Sequence, residues 1–269
     1  RPGDDRPMGA APPALRPDRL VGHPPGAPIA RSPDMPSRAP SRAVQRLVLA
    51  AVAALLLAPI LAGCGVSSSG TSEGTGVVGE GDVQTEIRDL PPFTRVSVAA
   101  GMKVIVGAKD AQQVKVAAQP NILPLIRTEV VEGQLIVTLE ASDSVTTTKP
   151  MSLTVEIPVL ESLALSAGSV GYLEHTGDKL NVDVSGGAEL TGIGTTPDLR
   201  LTATTGSHAK LGELVAQVAE ISVNDGTTAE LNVVSSLTGV ADGGSTVILA
   251  SKPASVDVTT SSGATVQGG

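Results

Sequence analysis

The residue types that most often perform catalysis or bind metals are few and scattered in this sequence. The three histidines are His23, His175 and His208, and neither of the last two is accompanied by the cysteine, aspartate and second histidine of a zinc site. His175 and His208 fall at corners of the repeat described below, where a lone histidine is usually solvated. The sequence therefore predicts no metal site and no cofactor.

Serine, glycine and aspartate motifs give no stronger sign of catalysis or ligand binding. There is no GxSxG nucleophile elbow, and the glycine runs lack the lysine of a phosphate-binding loop. The segments VNDGTTAE and VADGGST resemble calcium-binding turns, but they lack the repeated aspartates of calcium-binding coils and the spacing of an EF-hand. We interpret these glycines and serines as structural corners.

Charge is distributed unevenly along the 269 residues. Residues 1–63 contain 8 Lys/Arg and 4 Asp/Glu, a net charge of +4, whereas residues 64–269 contain 11 and 23, a net charge of −12. The aromatic residues are Phe93 and Tyr172 alone. Because nucleic-acid binding needs a basic surface or aromatic stacking platforms, we expect no nucleic-acid binding by this acidic body. Its core must be aliphatic, which suits a thin, layered fold.

The single cysteine, Cys64, follows a segment organised like an export signal. Arg38, Arg42 and Arg46 form a positive region, residues 47–61 are almost wholly apolar, and the tetrapeptide LAGC follows. The apolar stretch has about the length of a signal peptide and is short for a membrane-spanning helix. The pattern resembles the lipobox of bacterial lipoproteins, which implies a lipid on Cys64. The alternative is an ordinary cleaved signal or an uncleaved anchor.

These features divide the chain into a leader, an export signal, a linker, and a β domain with a non-repeating and a repeating half. In that order, the predicted boundaries are 1–34, 35–63, 64–86, 87–158 and 159–269. The leader is rich in Pro and Arg without periodicity, so it is either disordered or upstream of a true start at Met35. The linker is rich in Gly, Ser and Thr, a composition typical of flexible coil.

Glycines recur at a nearly constant interval in the last part of the chain. They stand at positions 168, 187, 206, 226, 244 and 263, with spacings of 19, 19, 20, 18 and 19 residues. The positions three, five and seven residues before each glycine are apolar in fifteen of eighteen cases, whereas those four and six before are apolar in two of twelve. Because side chains alternate along a strand, one row must face inward and the other outward.

This period predicts a parallel β-solenoid with about 19 residues per coil, two short strands in each coil and tight corners. One coil cannot bury its apolar row, but coils stacked about 4.8 Å apart can. A β-propeller is excluded because each blade needs roughly 40 residues. The strands of 87–158 are predicted to cap the N-terminal end of the stack. The C-terminal coil has no evident cap, which predicts weak self-association through an uncovered strand edge.

The acidic residues of the repeat do not form a catalytic pair. Asp183 and Asp257 both face outward, but they lie four coils apart, roughly 19 Å by the ladder spacing. Glycosidase carboxylates act from much shorter separations. Sugar-processing clefts also usually present aromatic rings, and the sequence offers one tyrosine. We therefore predict a non-enzymatic protein and keep a polysaccharide-active enzyme as an alternative hypothesis.

Taken together, these residues resemble the family described as the autotransporter-adhesin head domain, or GIN domain. The resemblance covers roughly residues 87–269 and rests on FTRVSVAAGMKVIVG, VKVAAQPNILPLI followed by GQLIVTL, LTVEIPVLESLALSAGSV and the recurring VDVSGGAEL unit. It implies a secreted or surface-anchored β-solenoid with adhesion as an inferred role and no catalytic residues. The later coils depart from the pattern, with TTGS and NDGT in place of SGGA.

The sequence thus predicts a non-enzymatic, adhesin-like protein that is lipid-anchored at the outer face of the bacterial cell membrane. Candidate binding residues on the outward face of the coils are Asn181, Asp183, Thr202 and Ser222. The expected partners are the membrane, through the lipid on Cys64, and an unidentified envelope or extracellular component. A structural or regulatory envelope module that acts through self-association is the alternative.

Overall fold

The computed structural model describes residues 76–140 and 144–269 of the chain. Within these ranges the protein is built from β-strands, with one 3₁₀ turn at Leu123–Leu125. In chain order the strands are β1 Val77–Val78, β2 Gln84–Arg88, β3 Arg95–Ala99, β4 Lys103–Ala108, β5 Gln113–Ala118, β6 Ile126–Val131, β7 Gln134–Leu139, β8 Val145–Thr146, β9 Ser152–Ile157, β10 Ser162–Leu165, β11 Val170–Thr176, β12 Lys179–Val184, β13 Glu189–Ala203, β14 His208–Val223, β15 Thr228–Ala241, β16 Thr246–Leu249, β17 Ser255–Thr260 and β18 Thr265–Gly268. The predicted all-β class is confirmed.

Two parallel ladders carry the repeating half of the chain. Strands β10, β12 and β17, with the later parts of β13, β14 and β15, form the first ladder. Strands β11, β16 and β18, with the earlier parts of β13, β14 and β15, form the second. Asp183 pairs with Thr202, and Thr202 pairs with Ser222, so neighbouring rungs are one repeat apart. The predicted parallel β-solenoid is confirmed.

Each coil turns at the glycine that marks the repeat. The six glycines have φ between 64° and 81°, and the residue before each glycine has φ between 48° and 60°. Two successive left-handed residues reverse the chain tightly, as in a type I′ turn. Glycine adopts this conformation without a steric penalty, whereas Thr205 and Asp225, which precede their glycines, adopt it at a modest cost. The backbone therefore explains the spacing of the glycines.

Unequal coil lengths are absorbed by bulges in the second ladder. The coil that starts at Gly206 has 20 residues and the next has 18, so the two cannot stay in register throughout. The pairing of β14 with β15 shifts between Leu211 and Val215 and again between Ala216 and Val218. It then returns to register for the first ladder, which keeps the outward columns of that ladder continuous.

The inner rows of the repeat form one aliphatic core. In the first five coils the rows three, five and seven residues before the glycines are buried, except for Glu161, which is exposed, and Gly239, which has no side chain. Leu173 and Leu211 are fully buried in the second ladder. In the last described coil Val256 is 48% exposed, because β17 has a neighbouring strand on one side only.

A column of small polar residues follows the corner glycines inside this core. The Oγ atoms of Ser207 and Ser245 donate hydrogen bonds to the main-chain oxygens of Val184 (2.8 Å) and Val223 (2.9 Å). Each bond joins a corner to the end of a strand in the preceding coil. The bonds offset the cost of burying the two hydroxyls. This column was not among the features predicted from the sequence.

The strands of the non-repeating half lie at the N-terminal end of the stack, as predicted, and they also lengthen it. Strands β3 and β4 flank Gly101 and pair in parallel with β10 and β11. Strands β7 and β9 form a further rung on the other side of β3 and β4. The antiparallel strands β2, β5 and β6 border this end. The solenoid therefore contains two rungs before the glycine repeat begins.

Part of the predicted linker is ordered, which corrects the sequence analysis. Strand β1 and the start of β2 fall within 64–86, and β1 pairs with β8. Asn121 holds this segment through Nδ2, which donates to the oxygen of Val78 at 2.7 Å, and Oδ1, which accepts from the nitrogen of Glu80 at 2.9 Å. Two valines among glycines are too short a signal for a strand, so composition alone indicated coil.

The predicted leader, signal peptide and lipidation site lie outside the described residues. Their assignments, including Cys64, stay predictions. Among residues 76–140 and 144–269, no helix has the length and apolar character needed to cross a membrane.

Candidate functional site

Three of the four predicted binding residues lie side by side on the outer face of the first ladder. Asp183, Thr202 and Ser222 occupy the same position on three consecutive rungs, so their backbones are about 4.8 Å apart. Asn181 lies on the rung of Asp183 but two residues earlier, in the adjacent column. The structure thus groups the predicted residues into one short polar patch.

The polar patch ends after three rungs. In the same column, Ala164 lies on the rung before Asp183, and Val240 lies on the rung after Ser222. Val240 is 45% exposed, so the column becomes apolar beyond the patch. A partner that follows this column would therefore meet polar groups over roughly 10 Å, the span of three rungs.

The adjacent column is held by pairing along the stack. Arg200 forms an ion pair with Glu220 on the next rung. The Nδ2 atom of Asn181 donates a hydrogen bond to the main-chain oxygen of Glu161 on the preceding rung at 3.2 Å. An exposed ion pair contributes at most about 1 kcal/mol of stability. The pairing orients Asn181 along the stack. Asp183, Thr202 and Ser222 are therefore more available than Asn181 for contact with a partner.

The patch is suited to hydrogen bonding with a polar partner. Partial burial raises the pKa of the Asp183 carboxyl above its ordinary value. The hydroxyl of Ser222 accepts a hydrogen bond from Nδ2 of Asn224 at 3.1 Å. One carboxylate and two hydroxyls in a row offer acceptors and donors, and within this column no imidazole or amine stands next to a hydroxyl to activate it.

His175 is buried, so the prediction of a solvated corner was wrong. Its side chain is 4% exposed, and Nε2 has no hydrogen-bond partner in the described ranges. The ring lies beneath Gly177, where an added Cβ would be 3.1 Å from Nε2. The inward alternation of Gly171 and Leu173 continues along β11 to His175. The predicted inner row of this strand ended at Leu173, two residues too early.

The surroundings of His175 favour its neutral form. Desolvation lowers the pKa of the His175 imidazole below its ordinary value. The ring borders a surface pocket of about 290 Å³ together with Glu161, Asp178 and Lys179. We interpret His175 as a core residue whose charge is opposed by burial, rather than as a catalytic base.

This burial makes the stability of the domain dependent on pH. The unfolded imidazole, with a pKa of about 6.5, binds a proton more readily than the folded one. We therefore expect the unfolding free energy to fall as the pH drops from about 6.5 toward the lower folded pKa, by about 1.4 kcal/mol per unit of difference. Urea unfolding of the wild type and of His175→Gln between pH 5 and 8 measures this.

Comparison with the variant is its own control, because His175→Gln changes no other ionisable group of the protein. The stability difference between wild type and His175→Gln should favour the wild type more at pH 8 than at pH 5. A difference that is constant over this range would show that the imidazole is not buried in its neutral form.

His208 remains exposed, as predicted. It pairs in register with Glu189 and Thr228 on the neighbouring rungs. In the parts of the chain that the structure describes, no three His, Cys, Asp or Glu side chains come together in a group that could hold a metal ion. The arrangement around His208 is that of a solvated surface column.

Tyr172 is a surface feature that the sequence analysis undervalued. Its side chain is 40% exposed on the outer face of the second ladder, beside Ile105 of the preceding rung. Phe93, the other aromatic residue, is buried. The outward position of Tyr172 follows from the alternation with Gly171 and Leu173, so the sequence contained the signal.

Comparison with known families agrees with this geometry. The family model described as "Putative auto-transporter adhesin, head GIN domain" matches residues 92–253, which is more than half of the chain. The chain belongs to the GIN-domain family. No curated protein matches this GIN-domain sequence significantly.

Similar solved structures have low sequence identity, and one from Bacteroides fragilis shows the same fold. The crystal structure of a "putative adhesin" from Bacteroides fragilis is 16% identical, has a TM-score of 0.58, and is matched over 72% of this chain and 100% of its own. A "putative lipid binding protein" from Parabacteroides distasonis is 13% identical with a TM-score of 0.46, over 72% and 99% of the two chains. A "putative adhesin" from Parabacteroides merdae is 12% identical with a TM-score of 0.45, over 72% and 98%.

Proposed function

We propose that this GIN-domain protein is a non-enzymatic, adhesin-like surface protein that is exported and lipid-anchored through Cys64. The observation that carries the proposal is the rigid stack of parallel rungs with Asp183, Thr202 and Ser222 in one outward column. A stacked scaffold holds these groups at fixed spacing, which lowers the entropic cost of binding a polar partner. The adhesin-like family of the chain supports the same role.

A non-enzymatic role for the first-ladder patch is supported by the distance between Asp183 and Asp257. In the first ladder Asp257 lies on the fourth rung after Asp183, and it lies in the column of Asn181 rather than that of Asp183. Four rungs correspond to roughly 19 Å. The two carboxylates of a glycosidase lie within about 10 Å of each other. Asp183 and Asp257 therefore act separately.

The test of the binding role is adhesion of bacteria that display the full-length protein. We expect the double variant Thr202→Glu, Ser222→Glu to reduce retention on envelope or extracellular-matrix surfaces at least tenfold, because added charge and bulk repel a partner fitted to hydroxyls. The matched control is Thr228→Glu, Thr246→Glu, which adds the same charge on the other ladder.

The control variant should adhere like the wild type. Live-cell crosslinking from position 202, followed by identification of the captured molecule, would name the partner. Equal retention of wild type, double variant and control would remove the first-ladder patch from the account of adhesion.

The lipid anchor has its own test. Labelled palmitate should enter the full-length protein in a bacterial host, and Cys64→Ala should lose the label and move the protein from the membrane fraction to the medium. The expectation follows from the lipobox-like LAGC segment and the single cysteine of the chain. Equal labelling of both proteins would contradict the anchor.

Self-association is the second candidate role, and one observation favours it. In the last described coil Val256 is 48% exposed and Val258 is half-buried, on a strand with one free edge. A parallel edge with uncovered apolar residues is a template for pairing with another strand. Light scattering at several concentrations tests this role, and Val256→Lys should keep the protein monomeric if the edge mediates it. A wild type that is strictly monomeric throughout would exclude it.

A further inference from the structure

The outer face of the second ladder contains a notch beside Tyr172. Tyr172 pairs with Ile105 on the preceding rung, and Ile105 pairs with Thr154 on the rung before that. These three side chains form one wall of a shallow pocket of about 190 Å³. The tyrosine ring is thus an exposed platform at the edge of a concavity rather than an isolated surface residue.

The notch exists because Gly107 interrupts a column of side chains. Gly107 pairs with Glu156 on one side, and Glu174 follows Leu173, the last residue paired with that strand on the other. A Cβ added at Gly107 would meet no atom within 4 Å, and the backbone there has an ordinary φ. The gap is therefore open space between two glutamates whose backbones lie two rungs, or about 10 Å, apart.

The charges around the notch are mixed rather than of one sign. Lys109 lines the pocket with Glu156 and Glu174, and Lys115 lies 3.9 Å from Glu156. A net cationic ligand would face both lysines, and a net anionic ligand would face both glutamates. A neutral ligand with many hydroxyls can accept from the lysines and from Thr154 while it donates to the glutamates.

We propose that the notch of Tyr172, Gly107, Glu156 and Glu174 binds the ring of a neutral sugar. One face of a sugar ring is apolar and stacks on the tyrosine ring, while hydroxyls at its rim reach the flanking carboxylates and Lys109. Gly107 leaves room for the ring to sit against the sheet. This inference rests on the proposed adhesin-like role and names the chemical class that one surface would recognise.

The composition of the chain provides a direct reporter for this site. Tyr172 is the only tyrosine, and the sequence has no tryptophan, so near-ultraviolet-excited emission of the protein comes from the notch. Laminarihexaose, mannohexaose and chitohexaose serve as neutral probes, oligogalacturonate as an anionic probe and hexalysine as a cationic one. We expect a saturable change in tyrosine emission with at least one neutral probe and none with the charged probes.

Variants separate stacking from simple surface contact, with binding measured by calorimetry. Tyr172→Phe should bind the neutral probe within about threefold of the wild type, whereas Tyr172→Ala and Gly107→Leu should weaken binding at least tenfold. Thr228→Leu, which adds the same side chain on a distant rung of this face, should leave binding unchanged. Thermal unfolding of each variant checks that the fold is kept.

Two results would overturn the inference. One is the absence of binding by all three neutral probes, and the other is saturable binding of hexalysine or oligogalacturonate in their place. The adhesion assay distinguishes this failure from that of the proposed function. If none of the neutral probes binds while the Thr202→Glu, Ser222→Glu variant loses adhesion, the adhesin-like role stands and the sugar site does not.

Discussion

Replacement of Gly239 by alanine is expected to lower the unfolding free energy by roughly 4 kcal/mol or more. This would be an exceptionally large effect for a substitution that adds a single methyl group. Gly239 lies in the inner row of the first ladder with φ of 134°. A Cβ there would lie 2.0 Å from the main-chain oxygen of Ile221 and 2.8 Å from its nitrogen. The neighbouring rung would have to move, because the obstructing atoms are backbone.

Gly206→Ala is the matched control for Gly239→Ala. Gly206 also has positive φ, 64°, but an added Cβ would meet nothing within 4 Å. The unfolding free energy of this variant should therefore fall only by the conformational cost of a left-handed alanine, about 1–2 kcal/mol. Urea unfolding of both variants measures the difference. Similar losses for the two would mean that the rungs are not as closely stacked at Gly239 as described.

Leu201→Ala is expected to destabilise the domain by about 2–5 kcal/mol, because it leaves a cavity in a closely packed core. Leu201 is fully buried in the middle of the first ladder, between Val182 and Ile221 of the adjacent rungs. In a solenoid each rung contacts only its neighbours, so a defect in the middle also weakens the coupling between the two halves of the stack.

Thr202→Ala is the control, since Thr202 is the next residue and faces outward. It should change stability by no more than about 0.5 kcal/mol. Chemical denaturation, with hydrogen exchange to follow individual rungs, measures both variants. Equal effects at positions 201 and 202 would contradict the inward and outward alternation on which the binding patch depends.

The repeating half of the fold was predictable because two independent signals agree there. The glycine spacing fixes the corner, and the alternation of residues such as Leu201 and Thr202 fixes which face is inside. From these alone, Thr202 must lie between Asp183 and Ser222 on the outer face. The structure confirms that adjacency, so most of the candidate patch followed from the period.

The two rungs that precede the glycine repeat could not be predicted from the sequence, because their stacking order does not follow the order of the chain. Gly101 marks a corner like those of the repeat, but 67 residues separate it from Gly168. Strands β5 to β9 intervene, and two of them build a rung that lies outside the one formed by β3 and β4. Periodicity in sequence detects neighbours only when successive coils are also adjacent in space.

His175 and Gly239 show a different limit of sequence reasoning. His175 continues an inward row past the expected bend, so a polar residue entered the core where a surface corner was predicted. Gly239 interrupts an apolar row, and the sequence cannot show that Ile221 fills the space with its backbone. At Gly239 the deciding quantity is the distance to the backbone of the neighbouring rung, which composition does not encode.

Spin labels on neighbouring rungs test the central structural claim most directly. In a Cys64→Ser background, labels at Thr202→Cys and Ser222→Cys should lie about 4.8 Å apart along the ladder and show strong spin–spin coupling. Labels at Thr202→Cys and Thr259→Cys, three rungs or about 14 Å apart, should couple weakly. Equal coupling for the two pairs, or none for the first pair, would contradict the stacked rungs and the binding surface built on them.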